Sequence, residues 1–246
     1  MESPILTVVL PVKNDLEGLS KTLSALRRFS RHELEVVVVD GTDKTGDAIR
    51  QKLTSDELDF IHLRSGSCSG VYAAMNEGVK CGSGIWVLFL GAGDVIHVNT
   101  LNAWLREASH HNHETMFAFS VSMGADREAG VPEAIRPQWG RRLIWQNTIH
   151  HQGLLSPRSW LDDAPFDPSM RVLADYKWVL ERWLEGRMVD SSSSLLTTCA
   201  RGGLSRQFDS ALYREEWSFK RKLLPLWASW LHLLWLPAKF VFKKLA

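Results

Sequence analysis

The chain has 246 residues, room for one α/β domain with a substantial core and too few for two comfortable ones. Apolar residues make up 45% and charged residues 23%, which excludes a disordered chain; 29 Lys and Arg against 28 Asp and Glu leave no basic excess for nucleic acid. Cys68, Cys81 and Cys199 have no CxxC spacing, which excludes a disulfide framework or a structural zinc site of the usual kind and fits a reducing compartment.

The N-terminus lacks the basic head and apolar stretch of a signal peptide, so the folded body is expected in the cytoplasm. Ile5 to Pro11 (ILTVVLP) is apolar and β-branched and predicts a buried parallel strand. Leu16, Leu19, Leu23 and Leu26 recur at helical spacing and predict an amphipathic helix over 15–29. A second buried strand, Leu34 to Val39 (LEVVVV), closes on Asp40-Gly41. Residues 47–53 read as a helix, 59–63 as a third strand and 71–80 as a helix. The fourth strand, 84–90 (GIWVLFL), ends at Gly91-Ala92-Gly93-Asp94. Farther on, 115–122 reads as a strand, 125–140 as a charged, Pro- and Gly-containing loop, and 174–185 as a helix stopped by Gly186. The run Ser191 to Ser194 is expected to turn before a strand, and His110, His111 and His113 to form a solvated surface rather than a metal cluster.

Strands alternating with helices imply βαβ units and a parallel sheet, whose ligands bind beyond the carboxyl ends of the strands. The polar residues at those ends are Lys13, Asn14, Asp40, Asp43 and Asp94. Asp40 is placed to accept hydrogen bonds from a base or ribose, or to cap a turn. Asp94 is placed to bind a hard divalent cation on a diphosphate, or to cap the next helix.

Four blocks in order over residues 5–205 resemble glycosyltransferase family 2, and within it small bacterial enzymes of colanic acid, O-antigen and exopolysaccharide synthesis. They are TVVLPVKND, EVVVVDGTDKTGD, SGVYAAMNEGVKCGSGIWVLFLGAGD, and HHQGLLSPRSW with FDPSMRVLADYKWVLERWLEG. Gly202-Gly203-Leu204-Ser205 resembles a late G-G-V-S element. The resemblance implies an α/β GT-A fold, Rossmann-like, with a mostly parallel central sheet flanked by helices. It implies a domain over 1–207, with a nucleotide-binding half at 1–100 and an acceptor half at 101–207.

The resemblance also implies roles. Pro11, Lys13 and Asp40 surround the nucleobase and ribose, and Asn76 lies on the donor side. Asp94 holds Mg²⁺ or Mn²⁺ on the diphosphate. Asp175, in Ala174-Asp175-Tyr176, is the base that deprotonates an acceptor hydroxyl during inverting transfer, unless it caps its helix. His151 and Gln152 face the acceptor or the diphosphate. The expected donor is a nucleotide-diphosphate sugar, UDP-linked, and the expected acceptor a lipid-linked oligosaccharide. The sequence departs from the family pattern at Cys68, Ala73 and Gly91, where relatives carry two acids and an Asn. These departures motivate an alternative, a catalytically silent relative that binds nucleotide sugar or scaffolds the same pathway. A hydrolase of sugar nucleotides is a third reading.

The composition changes over 208–246. Lys220, Arg221 and Lys222 precede LLPLWASWLHLLWLP, and Lys239, Lys243 and Lys244 follow it. Leu223, Trp227, Trp230, Leu231 and Leu234 fall at helical spacing, and Trp217, Trp227, Trp230 and Trp235 suit a headgroup boundary. This predicts an amphipathic helical tail that holds the protein peripherally on the cytoplasmic face of the inner membrane. A spanning helix and a helix packed against protein are the alternatives.

Overall fold

The computed structural model describes residues 3–41, 49, 51, 61–66, 68–123, 134–200 and 210–225. Its first half follows the predicted alternation: β1 (Leu6–Val12), α1 (Leu16–Leu26), β2 (Leu34–Asp40), β3 (Ile61–Ser65), α2 (Val71–Cys81) and β4 (Trp86–Phe89). Of the helix expected over 47–53, only Ile49 and Gln51 are described, both helical. Asp43, most of the 125–140 loop, the 202–205 element and 226–246 lie outside the described residues. The second half contains β5 (Val95–Ile96), α3 (Val98–Glu107), β6 (Thr115–Ser122), β7 (Leu154–Pro157) and α4 (Arg158–Asp163). It continues with α5 (Ala174–Leu184), β8 (Met188–Thr198) and α6 (Ser210–Leu223).

The sheet has eight strands in the order β3-β2-β1-β4-β7-β6-β8-β5. β1 runs parallel to β2 and β4, and β2 to β3, so their carboxyl ends share one edge. The expected parallel arrangement holds there; the other half is mixed, with β7 antiparallel to both β4 and β6. That reversal matters for the site. An antiparallel neighbour of β4 enters the sheet where β4 leaves it, so the 3₁₀ turn His151–Gly153 just ahead of β7 sits at the carboxyl edge.

Alternation along β1 explains the two cores. Leu6, Val8, Leu10 and Val12 face one side, with Leu19, Leu23 and Leu26 of α1 and Leu101 and Trp104 of α3. Val9 faces the other, with Tyr72, Met75 and Val79 of α2 and Tyr176, Val179 and Leu180 of α5. Each such fully buried side chain contributes roughly 1.5–3 kcal/mol. α2 lies so close to β1 that a Cβ at Gly78 would overlap the Val9 side chain. Gly186, at φ 74°, ends α5 as the sequence predicts.

Three expectations are corrected. Ser191 to Ser194 lie within β8, paired in parallel with β6 through a register shift at Ser120. The ladder decides this: the Ser120 hydroxyl also donates to the Ser193 carbonyl at 3.0 Å, and strand pairing overrides the weak β-propensity of serine. Next, His110 and His113 are exposed, but His111 is half-buried, stacked on Trp104 at 5.2 Å and packed on Phe117 at 4.3 Å. Finally, Lys220 is not a membrane-facing basic flank. It is fully buried in α6, paired with Glu216 at 2.7 Å and seated over the Tyr176 ring at 4.8 Å. With Phe219 and Leu224 in the core, α6 is part of the same packed body as α5.

Candidate active site

The carboxyl ends of β1, β2 and β4 bring the expected acids to one edge. Asp40, the last residue of β2, pairs in register with Val12 and is fully buried. Pro11 is half-buried in β1, and Lys13, just past its end, is exposed. Beside β2 and β3 opens a cavity of about 450 Å³, lined in part by Val39, Arg64, Ser65, Cys68, Ala73 and Asn76. The charge of Asp40 reaches Cys68; burial is the first cause that raises this thiol above its ordinary range, and Asp40 adds to it. The Asn76 amide is committed to the backbone of Phe166, donating at 2.8 Å and accepting at 3.0 Å, so it ties α2 to the chain ahead of α5.

Asp94 is pinned in the turn after β4. Its Oδ2 accepts from the Gly91 N–H and its Oδ1 from the Ala200 N–H, both at 2.7 Å. Gly93 takes φ 88°, a conformation open to glycine, to make that turn. The carboxylate is 3% exposed, and burial pushes its proton affinity up, against those two hydrogen bonds and the charge of His151. A desolvated carboxylate in that state favours a nearby cation.

Asp175 stands in the first turn of α5 and is 8% exposed. His151 Nδ1 lies 2.7 Å from its Oδ2. The Tyr72 hydroxyl, in the first turn of α2, donates between Asp175 Oδ1 at 2.9 Å and the Val172 carbonyl. Burial raises the Asp175 carboxyl, but the His151 hydrogen bond and charge, then the Tyr72 hydroxyl, outweigh it and hold the carboxyl below its usual range. Burial, then the Asp175 charge, pushes Tyr72 well above its ordinary value, so it remains a donor. Desolvation brings His150 down to about 4, which leaves it neutral at neutral pH. Gln152 on the same turn has a buried Oε1 with no hydrogen-bond partner among the described residues.

The loop ahead of Asp175 is held from the C-terminal side. Glu215 of α6 accepts from the N–H groups of Arg171, Val172 and Leu173 at 3.3, 3.1 and 2.8 Å.

Comparison with known proteins supplies the family and the fold. A family model described as Glycosyl transferase family 2 matches residues 7–153, which carry β1 through the His151 turn. The chain belongs to glycosyltransferase family 2. A PGL/p-HBAD biosynthesis glycosyltransferase of Mycobacterium bovis is 28% identical over 185 residues, 72% of this chain and 68% of that protein. An uncharacterised glycosyltransferase of Mycobacterium tuberculosis is 33% identical over the same length and shares of the two chains. Among solved structures, S. aureus TarS 1-349 in complex with UDP-GlcNAc superposes with a TM-score of 0.63 at 19% identity, covering 87% of this chain and 65% of that one. The mannosyltransferase PcManGT from Pyrobaculum calidifontis, in complex with GDP-Man and Mn²⁺, gives 0.62 at 21% identity, covering 89% and 64%. Both place the fold as GT-A, and this chain spans just under two thirds of each.

Against the family-2 pattern, Pro11, Lys13, Asp40 and Asp94 fall at the carboxyl edge of the parallel strands, and His151 and Asp175 are hydrogen-bonded to each other. The Asn76 side chain holds the backbone of Phe166 and also lines the cavity beside β2 and β3. Tyr72, Arg64 and Glu215 were not reached from sequence. Tyr72 stands inside the quoted SGVYAAMN block and Arg64 at the end of a strand, which were the available signals; nothing local marks Glu215.

Among the described residues, no three His, Cys, Asp or Glu gather into a metal cage. The donor set fits a cation bound chiefly by a ligand. Each Asp94 oxygen keeps a lone pair beyond its N–H partner, and Mg²⁺ typically takes one or two carboxylates with substrate phosphates and water.

Proposed function

We propose that this protein is an inverting glycosyltransferase that moves a sugar from a nucleotide-diphosphate donor, UDP-linked, to a hydroxyl of a lipid-linked glycan in bacterial surface polysaccharide synthesis. The observation that carries the reading is the pairing of the cavity beside β2 and β3 with the Tyr72–Asp175–His151 cluster, joined through α2 in a family-2 chain. Arg64, Ser65 and Asp40 surround the base and ribose, while Asp175 serves deprotonation of the acceptor hydroxyl as it attacks the anomeric carbon from the face opposite the leaving diphosphate. Asp94 would hold Mg²⁺ or Mn²⁺ on the diphosphate, where the cation neutralises the charge that builds on the leaving group. Positioned proton transfer contributes about 10²- to 10⁴-fold, and orientation with leaving-group electrostatics the rest.

The acceptor and the location form the outer part of the proposal. The Trp-rich basic segment beyond Pro225 rests the protein on the cytoplasmic face of the inner membrane, where a lipid-linked acceptor presents its glycan. No helix among the described residues is long and apolar enough to cross a membrane. Cys68 and Ala73 line the cavity where relatives carry acids, which is the observation behind the silent-relative alternative.

Thermal-shift measurement against UDP, GDP, UDP-GlcNAc and GDP-mannose with Mn²⁺ tests the donor half, because a ligand of the native state raises its stability. UDP-linked ligands should raise Tm most. Turnover by wild type and its absence in Asp175→Asn, in an assay with lipid-linked acceptors, tests the enzyme half. Binding without transfer to any such acceptor would favour the silent relative.

A further inference from the structure

Asp175 is poorly arranged to take a proton itself. Both its oxygens are engaged, Oδ1 by the Tyr72 hydroxyl and Oδ2 by His151, and its side chain is 11% exposed against 21% for His151. Its carboxyl is held below the usual range by those partners, and a base of lowered proton affinity is a weaker one.

His151 has the complementary properties. A carboxylate only accepts, so the nitrogen facing it, Nδ1, carries the hydrogen and leaves the lone pair on Nε2. Nε2 has no hydrogen-bond partner among the described residues, and the ring is half-buried. The groups around the ring are placed on three elements. Asp175 lies against it from α5, the charge of Asp94 reaches it from the turn after β4, and its neighbour His150 stays neutral. Tyr72 from α2 fixes the far oxygen of Asp175, so the carboxylate cannot swing away.

We propose that His151 Nε2 accepts the proton of the acceptor hydroxyl, and that Asp175 and Tyr72 act as positioning residues that set the ring's tautomer and stabilise the imidazolium. The inference rests on the transfer reading above. As the acceptor oxygen bonds to the anomeric carbon, its O–H proton passes to Nε2. The bond from that carbon to the diphosphate breaks with its electron pair on the phosphate oxygen. The imidazolium then returns the proton to water. The arrangement is the carboxylate–imidazole pairing that elsewhere activates hydroxyl nucleophiles.

The test uses the full chain and whichever of UDP-GlcNAc and GDP-mannose it turns over, with Mn²⁺ and lipid-linked acceptors. His151→Gln retains an N–H toward Asp175 but has no basic nitrogen. Its kcat should fall about 100-fold or more, with donor KM and Tm close to wild type, and the acid-side limb of its kcat/KM profile should vanish. Added imidazole should restore part of the turnover of His151→Ala. In wild type, the acid limb should shift with temperature as an imidazole does and a carboxyl does not, a readout that needs no variant. Retention of half or more of kcat by His151→Gln, with the acid limb in place, overturns the proposal alone. Wild type that binds donor but transfers nothing overturns the transfer reading and this proposal with it.

Discussion

At the scale of single residues, the site depends on carboxylates whose partners differ in kind. Asp94 is held by two backbone N–H donors in a buried turn and feels His151 only through its charge, whereas Asp175 is hydrogen-bonded to a histidine and a tyrosine. The same side chain thus becomes a cation-seeking acid in one place and a fixed anion in the other. Truncating Asp94 removes two roles together. Asp94→Ala should abolish donor turnover and also lower stability by about 1–3 kcal/mol, because the Gly91 and Ala200 N–H groups lose their acceptor. Chemical denaturation of the variant against wild type measures the second effect independently of any substrate. An unchanged midpoint would mean that water replaces the carboxylate at both N–H groups.

Elements set where these residues meet. α5 runs from the carboxyl edge of the sheet toward the amino end of β8, so its first turn delivers Asp175 to the site. That turn is anchored from α6, where one carboxylate, Glu215, gathers three successive N–H groups ahead of the helix. Removing it leaves those groups to water and loosens the segment whose Val172 carbonyl also receives Tyr72. Glu215→Ala should therefore cost about 1–2 kcal/mol in stability. It should also lower kcat more than donor KM, since Pro168 is the one residue the stretch ahead of α5 gives to the described lining of the cavity beside β2 and β3. Steady-state kinetics with varied donor decides it, and a change confined to donor KM would contradict the assignment.

Across the whole molecule, the edge opposite the site is closed by polar contacts between distant segments. Glu35 accepts from Thr7, Ser83 and Gly84, and Arg158 reaches Thr7 and the carbonyls of Val79 and Gly84. Burial raises the Glu35 carboxyl, yet the Ser83, Thr7 and Gly84 hydrogen bonds outweigh it and leave it below its ordinary value. A carboxyl depressed by folding contributes stability that is complete above its unfolded pKa and is lost as pH falls through the folded one. Glu35→Gln should thus be less stable than wild type at neutral pH, on the order of 1 kcal/mol, with the gap closing below about pH 4. Denaturation midpoints from pH 7 down to pH 3 test this; a gap independent of pH would assign the effect to packing. The tail belongs to this scale too. Truncation after Pro225 spares α6 and Glu215 and should abolish co-sedimentation with anionic liposomes while leaving the nucleotide-induced rise in Tm. Undiminished sedimentation would refute the membrane-tail proposal.

The sequence by itself determined the βαβ half, because its strands and α1 and α2 announce themselves by local periodicity: ILTVVLP, LEVVVV and GIWVLFL can be read without knowing their neighbours. It also determined the family and which acids end strands, since both follow from short contiguous blocks. What only the tertiary structure decided depends on chain segments far apart. The serines of β8 became a strand because β6 offered a ladder, and Lys220 became a core residue because Glu216 and Tyr176 met it there. The pairing of His151 with Asp175 likewise joins a turn made by an antiparallel strand to the start of a helix. A hydrogen bond across such a separation leaves no periodicity in either segment, and so the choice between the carboxylate and the imidazole belonged to the fold.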